Sequence, residues 1–294
     1  MLVATLVSAH GQALIVEALL QRLAALPGAL RTQRLDGEIA ADLFAEAGDA
    51  RKLEAELRPL LEGAPIDILV QPAATRRKAL FLADMDSTMI GQECIDELAA
   101  YVGLKEKVSG ITERAMRGEI AFEPALRERV ALLKGVPLSV VAEIIRERIT
   151  LTPGGRELVM TMRGQGGHTA LVSGGFTVFT GPISATIGFD EHRSNTLLAQ
   201  DGVLIGQVAD PILGKQAKLD ALLELRARLG LAPAQTLAVG DGANDLAMLG
   251  EAGLGVAFRA KPAVAAAAHA RLDHADLTAL LYAQGYTGAE IVRS

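Results

Sequence analysis

Tryptophan is absent and cysteine nearly so, with Cys94 the only thiol in 294 residues. A single cysteine excludes an intrachain disulfide and any metal site built from several cysteines. A free cysteine usually packs as a small hydrophobe, so Cys94 is read as a buried helical residue rather than a nucleophile. A basic surplus is also missing: 29 Lys and Arg against 35 Asp and Glu give a formal net charge of -6. That balance argues against a nucleic-acid partner, because nothing neutralises a run of phosphates. It leaves room for a small anionic substrate, which needs only local positive groups. No stretch approaches the ~20 apolar residues of a membrane span, and the first residues lack a basic start followed by a long apolar run. The expectation is a soluble, cytoplasmic protein with no membrane partner. Internal repeats are lacking, and the one biased tract is an alanine-rich run at 263–268.

What is present centres on Lys78-Ala-Leu-Phe-Leu-Ala-Asp-Met-Asp-Ser-Thr-Met-Ile-Gly91. The unbroken apolar run 79–83 reads as a strand buried on both faces of a parallel sheet. It ends at Asp84, Asp86 and Thr88, and in an open α/β sheet ligands bind in the crevice beyond the carboxyl ends of the strands. Carboxylates two residues apart suit a hard cation such as Mg²⁺, which takes oxygen ligands and often shares them with a substrate phosphate. A calcium loop starting at Asp84 fails, because Met89 and Ile95 stand where that loop requires Gly and Glu. Asp-x-Asp alone is also compatible with an ordinary polar turn.

The length allows two or three domains. Before the central stretch, the patterning predicts strands at 2–9, 30–35, 40–45 and 66–70 and helices at 13–25 and 50–61, a ferredoxin-like βαββαβ unit. Residues 71–78 read as a linker. After residue 90 the period turns helical at 92–102, 105–117, 122–133 and 138–149, with Pro137 placed to start the last helix. This block reads as a helical cap inserted after the first core strand. A helix at 154–163 then leads to an apolar strand 169–172 ending in Ser173-Gly174-Gly175. A hairpin of 195–199 with 203–208 turns at Asp201-Gly202, a helix 215–229 carries Lys218, and the strand 236–239 ends in Gly240-Asp-Gly-Ala-Asn-Asp245. A strand at 254–258 and a helix near 277–284 complete an α/β, doubly wound parallel-sheet core.

The order Asp84-x-Asp86-x-Thr88, Ser173-Gly-Gly, Lys218, Gly240-Asp-Gly-x-Asn244-Asp245 resembles the haloacid dehalogenase superfamily of phosphotransferases. Each element alone is weak; four in this order are specific. Residues 79–282 resemble the phosphoserine phosphatases within it, including Gln92-Glu-Cys-Ile-Asp-Glu97 and Phe122-Glu-x-x-Leu-Arg-x-Arg-Val130. The amino-terminal unit is similar to the ACT family, with Gly11 in the first strand-to-helix turn; Ser8-Ala9-His10 stands where that family often carries an Asp.

The resemblance implies a Mg²⁺-dependent hydrolysis of O-phosphoserine, the last step of serine biosynthesis. Asp84 would be the nucleophile and a metal ligand. Asp86 would be the general acid and base and would offer its main-chain carbonyl to the metal. Asp241 would complete the metal set. Lys218, Ser173 and the Gly174 amide would hold phosphate oxygens, with Thr88, Asn244 and Asp245 in support. Glu93 and Arg129 would take the ammonium and carboxylate of the substrate, and Met116 and Phe122 would form an apolar lid. The implied division is an ACT-like domain at 1–72 and a phosphatase domain at 73–294, with core at 78–90 and 151–294 and cap at 91–150. No residue so assigned precedes Asp84, so the amino-terminal unit is expected to be dispensable for chemistry. Three readings stay open beside this one: another small-molecule phosphatase, a phosphoserine-dependent phosphotransferase, and a non-catalytic amino-acid sensor. A homodimer is also left open.

Overall fold

The computed structural model describes residues 1–116 and 119–293, with the Met116 side chain outside that description. The chain opens with β1 (Leu2–Ser8), α1 (Glu17–Ala24), β2 (Ala29–Asp36), β3 (Ala40–Ala45), α2 (Ala50–Leu57) and β4 (Ile66–Pro72). The strands lie in the order β2-β3-β1-β4, with β1 antiparallel to both neighbours, which is the ferredoxin-like arrangement. Helix α1 starts four residues later than its apolar spacing suggests. The Leu14 amide is taken by the Ser8 hydroxyl at 3.0 Å and the Ile15 amide by the Glu38 carbonyl at 2.8 Å, so this stretch is fixed as a loop. Strand β4 also runs on into the expected linker, pairing Gln71 with Val3 and Pro72 with Leu2.

The two faces of this sheet differ. Ala4, Leu6, Leu43, Ile68 and Val70 pack with Leu19, Leu23 and Leu57 of its own helices. The other face carries Thr5, Asp42, Asp67 and Gln71, all buried, and it docks on the far end of the chain. The Asp67 carboxylate accepts the main-chain N–H groups of Asp273, His274 and Ala275 at 2.9, 3.0 and 2.7 Å. Gln71 donates to the Ala283 carbonyl at 2.9 Å, and Arg76 and Thr5 both donate to Asp42 at 2.7 Å. Val7 and Leu69 join one apolar cluster with Ala275, Leu277 and Tyr282.

The second body starts at β5 (Leu80–Ala83). Four helices follow: α3 (Cys94–Tyr101), α4 (Lys105–Met116), α5 (Phe122–Ala131) and α6 (Ser139–Glu147). The chain leaves and re-enters through an antiparallel bridge of Ile90 with Leu151, fastened by Gly91 N to Thr150 O and Thr152 N to Met89 O, both 3.0 Å. Then come α7 (Gly155–Gly164), β6 (His168–Phe176), α8 (Thr177–Ile187), β7 (Glu191–Asn195), β8 (Leu197–Gln200), β9 (Val203–Val208) and α9 (Lys215–Arg228). The last third holds β10 (Thr236–Gly240), α10 (Leu246–Glu251), β11 (Leu254–Phe258), α11 (Pro262–Ala267), β12 (Ala270–Leu272) and α12 (Ala279–Ala283).

The main sheet runs β12-β11-β10-β5-β6-β7, parallel throughout. Its central strands alternate between two apolar clusters: Phe81, Leu171 and Val239 enter one, and Leu82, Val172 and Ala238 the other. Both faces are therefore covered, which is why these strands read as continuous apolar runs. The edge strands β7 and β12 escaped the sequence reading. β7 is Glu-His-Arg-Ser-Asn, an edge with no apolar run to mark it, and Asn195 closes this strand instead of opening the hairpin, which starts at Leu197. Among the described residues no helix is long and apolar enough to cross a membrane.

The docking of the first sheet makes it part of the same folded body, so it is not energetically independent of the rest. Asp67→Ala leaves three main-chain donors, that of Ala275 buried and the others half-buried, without their acceptor, a loss of about 2–4 kcal/mol. Denaturant unfolding should show this, with amides of β1 and β4 losing exchange protection first. A change below about 0.5 kcal/mol would rule out the anchoring role.

Candidate active site

The strand order places β10, β5 and β6 side by side, so the residues just past their carboxyl ends converge. After β5 the chain makes a single π-helical turn over Met85–Met89, with the Ile90 amide reaching back to the Met85 carbonyl at 3.1 Å. Inside it Asp86 is extended and Ser87 sits at φ 57°, a left-handed conformation that costs a non-glycine residue about 1–2 kcal/mol. The distortion sends Asp84, Asp86 and Thr88 toward one point. It also aims the Ser87 hydroxyl at Glu93, which accepts its hydrogen bond at 2.6 Å.

At that point lies Lys218, in the first turn of α9 and only 2% exposed. Its ammonium is 2.6 Å from Asp84 Oδ2 and 2.6 Å from Asp245 Oδ1. Burial pulls the ammonium toward its neutral form, but the two carboxylates outweigh it and hold Lys218 above the usual lysine range. Asp84 Oδ1 accepts the Met85 amide at 2.7 Å, and Asp245 Oδ2 accepts the Gly242 amide at 3.0 Å. Asp245 is pushed up to about 7 by burial and then by the charge of Asp84. It can approach β10 this closely because residue 240 is glycine: a Cβ there would stand 2.4 Å from the Asp245 carboxyl carbon.

Asp84, Asp241 and Asp245 form one carboxylate group, with an oxygen from each within 4.8 Å of the others. Thr88 donates to Asp241 Oδ1 at 3.0 Å, and burial and Asp84 raise the Asp241 carboxyl. An all-oxygen set of this kind fits a hard divalent cation. Asp84 and Asp241 of the expected metal set belong to this group, and the Asp86 side chain stands outside it; Asp86 is expected to serve through its main-chain carbonyl. Asp86 Oδ1 is buried without a hydrogen-bond partner. Burial, then Glu93, then Asp84 raise this carboxyl well above the ordinary range, which favours its protonated form.

Ser173-Gly174-Gly175 lies in the last residues of β6. Ser173 is buried and its hydroxyl accepts the Gly175 amide at 2.9 Å; a Cβ on Gly175 would come within 3.3 Å of Asp86. Phe122 begins α5 and spreads across this segment, its ring 3.6 Å from where a Gly174 Cβ would stand and 3.5 Å from that of Gly214. Arg129, two turns further along the same face of α5, is half-buried and donates to the Ala125 carbonyl and to Thr112, both at 3.3 Å. Burial lowers its guanidinium, opposed by Asp96 and Glu93. Glu93 is itself raised by burial, and its charge acts on both Asp86 and Arg129. Asn244 is exposed beside Gly242. Met116 closes α4, but its side chain, an expected lid element, lies outside the described residues.

Two features were not foreseen from sequence: the part Asp245 plays as counter-charge of Lys218, and Asn195, buried between the end of β6 and the chain before α9. Asp245 was marked by its motif but not its partner, and Asn195 has no local pattern to announce it.

The haloacid dehalogenase-like hydrolase model matches residues 81–250. The phosphoserine phosphatase of Polaromonas sp. is 47% identical over 207 residues, 69% of this chain and 88% of that protein. A HAD family hydrolase of Salmonella enterica serovar Typhi superposes with a TM-score of 0.85 at 30% identity, covering 96% of this chain and 97% of its own. The unliganded probable phosphoserine phosphatase of Vibrio cholerae gives 0.77 at 32% identity, over 97% and 88% of the two chains.

Lys218→Met should leave Asp84 and Asp245 facing each other uncompensated and cost about 3–5 kcal/mol at neutral pH. Asp245 is already raised to about 7 with the cation in place, and losing the cation raises it further. The penalty is therefore present above its folded pKa and fades as pH falls through it. Thermal melting of metal-free protein at pH 7.5 and pH 5 tests the sign; an equal loss at both would show that packing, not charge, is what Lys218 supplies.

Proposed function

The chain belongs to the haloacid dehalogenase-like hydrolases, and we propose that within them it is a phosphoserine phosphatase, hydrolysing O-phosphoserine to serine and phosphate. The observation that carries this reading is the pairing of Asp84, its oxygen 2.6 Å from the buried Lys218 ammonium, with Asp86, a carboxyl pushed toward its neutral form two residues away. A carboxyl oxygen held against a cation and a neighbouring carboxyl that keeps its proton suit a nucleophile and a general acid.

In the first half-reaction an Asp84 carboxylate oxygen bonds to phosphorus as the ester P–O bond breaks. Asp86 gives its proton to the departing serine oxygen, leaving an aspartyl-phosphate on Asp84. In the second, the Asp86 carboxylate takes a proton from water, whose oxygen bonds to phosphorus and releases Asp84. Lys218, Ser173 and the Gly174 amide balance the charge on the transferred oxygens. Asp84, Asp241 and the Asp86 carbonyl would hold Mg²⁺, which supplies further positive charge at the phosphoryl group. Thr88 and Asp245 hold Asp241 and Lys218 in place, and Asn244 faces the same crevice. Arg129 takes the substrate carboxylate and Glu93 its ammonium, under the lid of Phe122 and Met116.

We divide the chain accordingly into a sheet unit at 1–72 and a phosphatase unit at 73–294, with the cap at 91–150. Phosphate release from O-phosphoserine, lost on chelation and restored by added Mg²⁺, tests the reaction and the metal together. Turnover undiminished after EDTA treatment would remove the metal from the mechanism.

Arg129 decides the substrate class. A guanidinium paired with a carboxylate in a closed site makes charge-assisted hydrogen bonds, so Arg129→Ala should cost on the order of 2–4 kcal/mol, roughly 30- to 1000-fold in kcat/KM on phosphoserine. Phosphoethanolamine lacks the carboxylate and should lose little. Parallel losses on both substrates would make Arg129 a structural residue of the cap.

A further inference from the structure

Two separate segments carry the phosphate-holding groups of the reading above: Ser173-Gly174-Gly175 in the last residues of β6, and Leu213-Gly214 leading into the turn of α9 that carries Lys218. They are about 40 residues apart in the chain and belong to different elements, so chain connectivity does not fix their relative position. Asn195 lies between them, at the end of β7 and 2% exposed. Its amide nitrogen donates to the Gly174 carbonyl at 2.8 Å and to the Leu213 carbonyl at 3.2 Å. Its amide oxygen accepts the Leu213 N–H at 2.7 Å. Both donors and the acceptor are used, which leaves this buried side chain one arrangement. The ring of Phe122 rests on the floor so formed, near Gly174 and Gly214 alike.

We propose that Asn195 is a positioning residue, setting the phosphate-binding amides of the 173–175 segment and the ammonium of Lys218 in one register. The proposal deepens the phosphatase reading and rests on it. Asn195 has no hydrogen bond to any of the carboxylates and acts only through Gly174 and Leu213. By tying down the Leu213 main chain it fixes where α9 begins, and Lys218 is one turn beyond that point. The transition state needs both groups on the same phosphoryl oxygens, and a displacement of about 1 Å in such a site costs on the order of 100-fold in rate.

The test compares full-length wild type with Asn195→Ala and Asn195→Asp. The Asp variant keeps the size of the side chain and the acceptor for Leu213 but replaces the donated bonds with repulsion between oxygens. In both, kcat on phosphoserine should fall on the order of 30- to 100-fold with KM changed far less, and the ratio of phosphoserine to phosphoethanolamine turnover should stay at the wild-type value. Calorimetric titration with inorganic phosphate in the presence of Mg²⁺ does not depend on substrate identity and should show weaker binding in both variants. A kcat within about threefold of wild type, or a loss that follows the folded fraction and returns on cooling, overturns the proposal. Wild-type protein that binds phosphate but does not turn over phosphoserine would overturn the substrate reading instead, and the phosphate titration would then still decide the role of Asn195.

Discussion

A lysine ammonium enclosed between two carboxylates, with almost no access to water, is the constraint from which the rest of this site follows. Removing Lys218 from solvent is costly for its charge, and only the 2.6 Å contacts to Asp84 and Asp245 keep that charge in place. The balance is unequal by design of the residues around it. Asp245, wholly enclosed, is tied to Lys218 and to the Gly242 amide, whereas Asp84, tied likewise to Lys218 and the Met85 amide, lies just past the end of β5 at the crevice. When an anion arrives at Asp84, the cation is already there and needs no reorganisation, which is the condition under which fixed charges stabilise a transition state best.

The architecture supplies this arrangement cheaply because three adjacent parallel strands end together. β10, β5 and β6 bring Asp241, Asp84 and Ser173 to one edge by register alone. Helix α9 brings the cation from outside that row. The elements that join these parts are local distortions: the π turn with Ser87 in a left-handed conformation, the glycine at 240 that admits Asp245, and the buried amide of Asn195. Strain gathered at a functional crevice persists when surrounding packing over-determines it, and here the turn is flanked by Met85, Met89 and Ile90, all fully buried.

The central strands were legible in the sequence because burial on both faces writes a continuous apolar run, and the nucleophile strand, the Ser-Gly-Gly strand and the Gly-Asp-Gly strand all carry one. The polar residues ending them were legible for the same reason, as sharp changes of chemistry. Edge strands were not: β7 has no apolar run, and its closing residue Asn195 was absorbed into the neighbouring hairpin. Contacts between distant residues leave no local trace either. Lys218 on a helix with charged neighbours looks like a solvated side chain, and only the fold shows it buried. The late start of α1 was hidden because its apolar spacing is helical while two of its early amides are captured by Ser8 and Glu38.

The amino-terminal sheet, expected to be dispensable for chemistry, is packed closely on the rest of the chain. No residue of the proposed chemistry lies within it, yet its inner face is polar and buried, an arrangement that needs a partner surface with matching donors and acceptors. Residues 273–283 provide it, through the amides gathered by Asp67 and the carbonyl offered to Gln71. The contact continues toward the site. His10 is 2.6 Å from Asp276, and Asp276 with Leu277 and Thr278 crowds Gly154, where a Cβ would meet the Thr278 amide nitrogen at 2.5 Å. Gly155 in turn packs on the Met89 methyl, within the turn that holds Asp86 and Thr88. This is an unbroken path of tight packing from the first sheet to the catalytic turn. Contiguity of that kind is a physical precondition for coupling but not coupling itself, which requires two arrangements that each end biases differently. What these contacts show is adjacency: Gly155 packs on Met89 of the turn, and Gly154 beside it packs on the segment 276–278 that meets the first sheet.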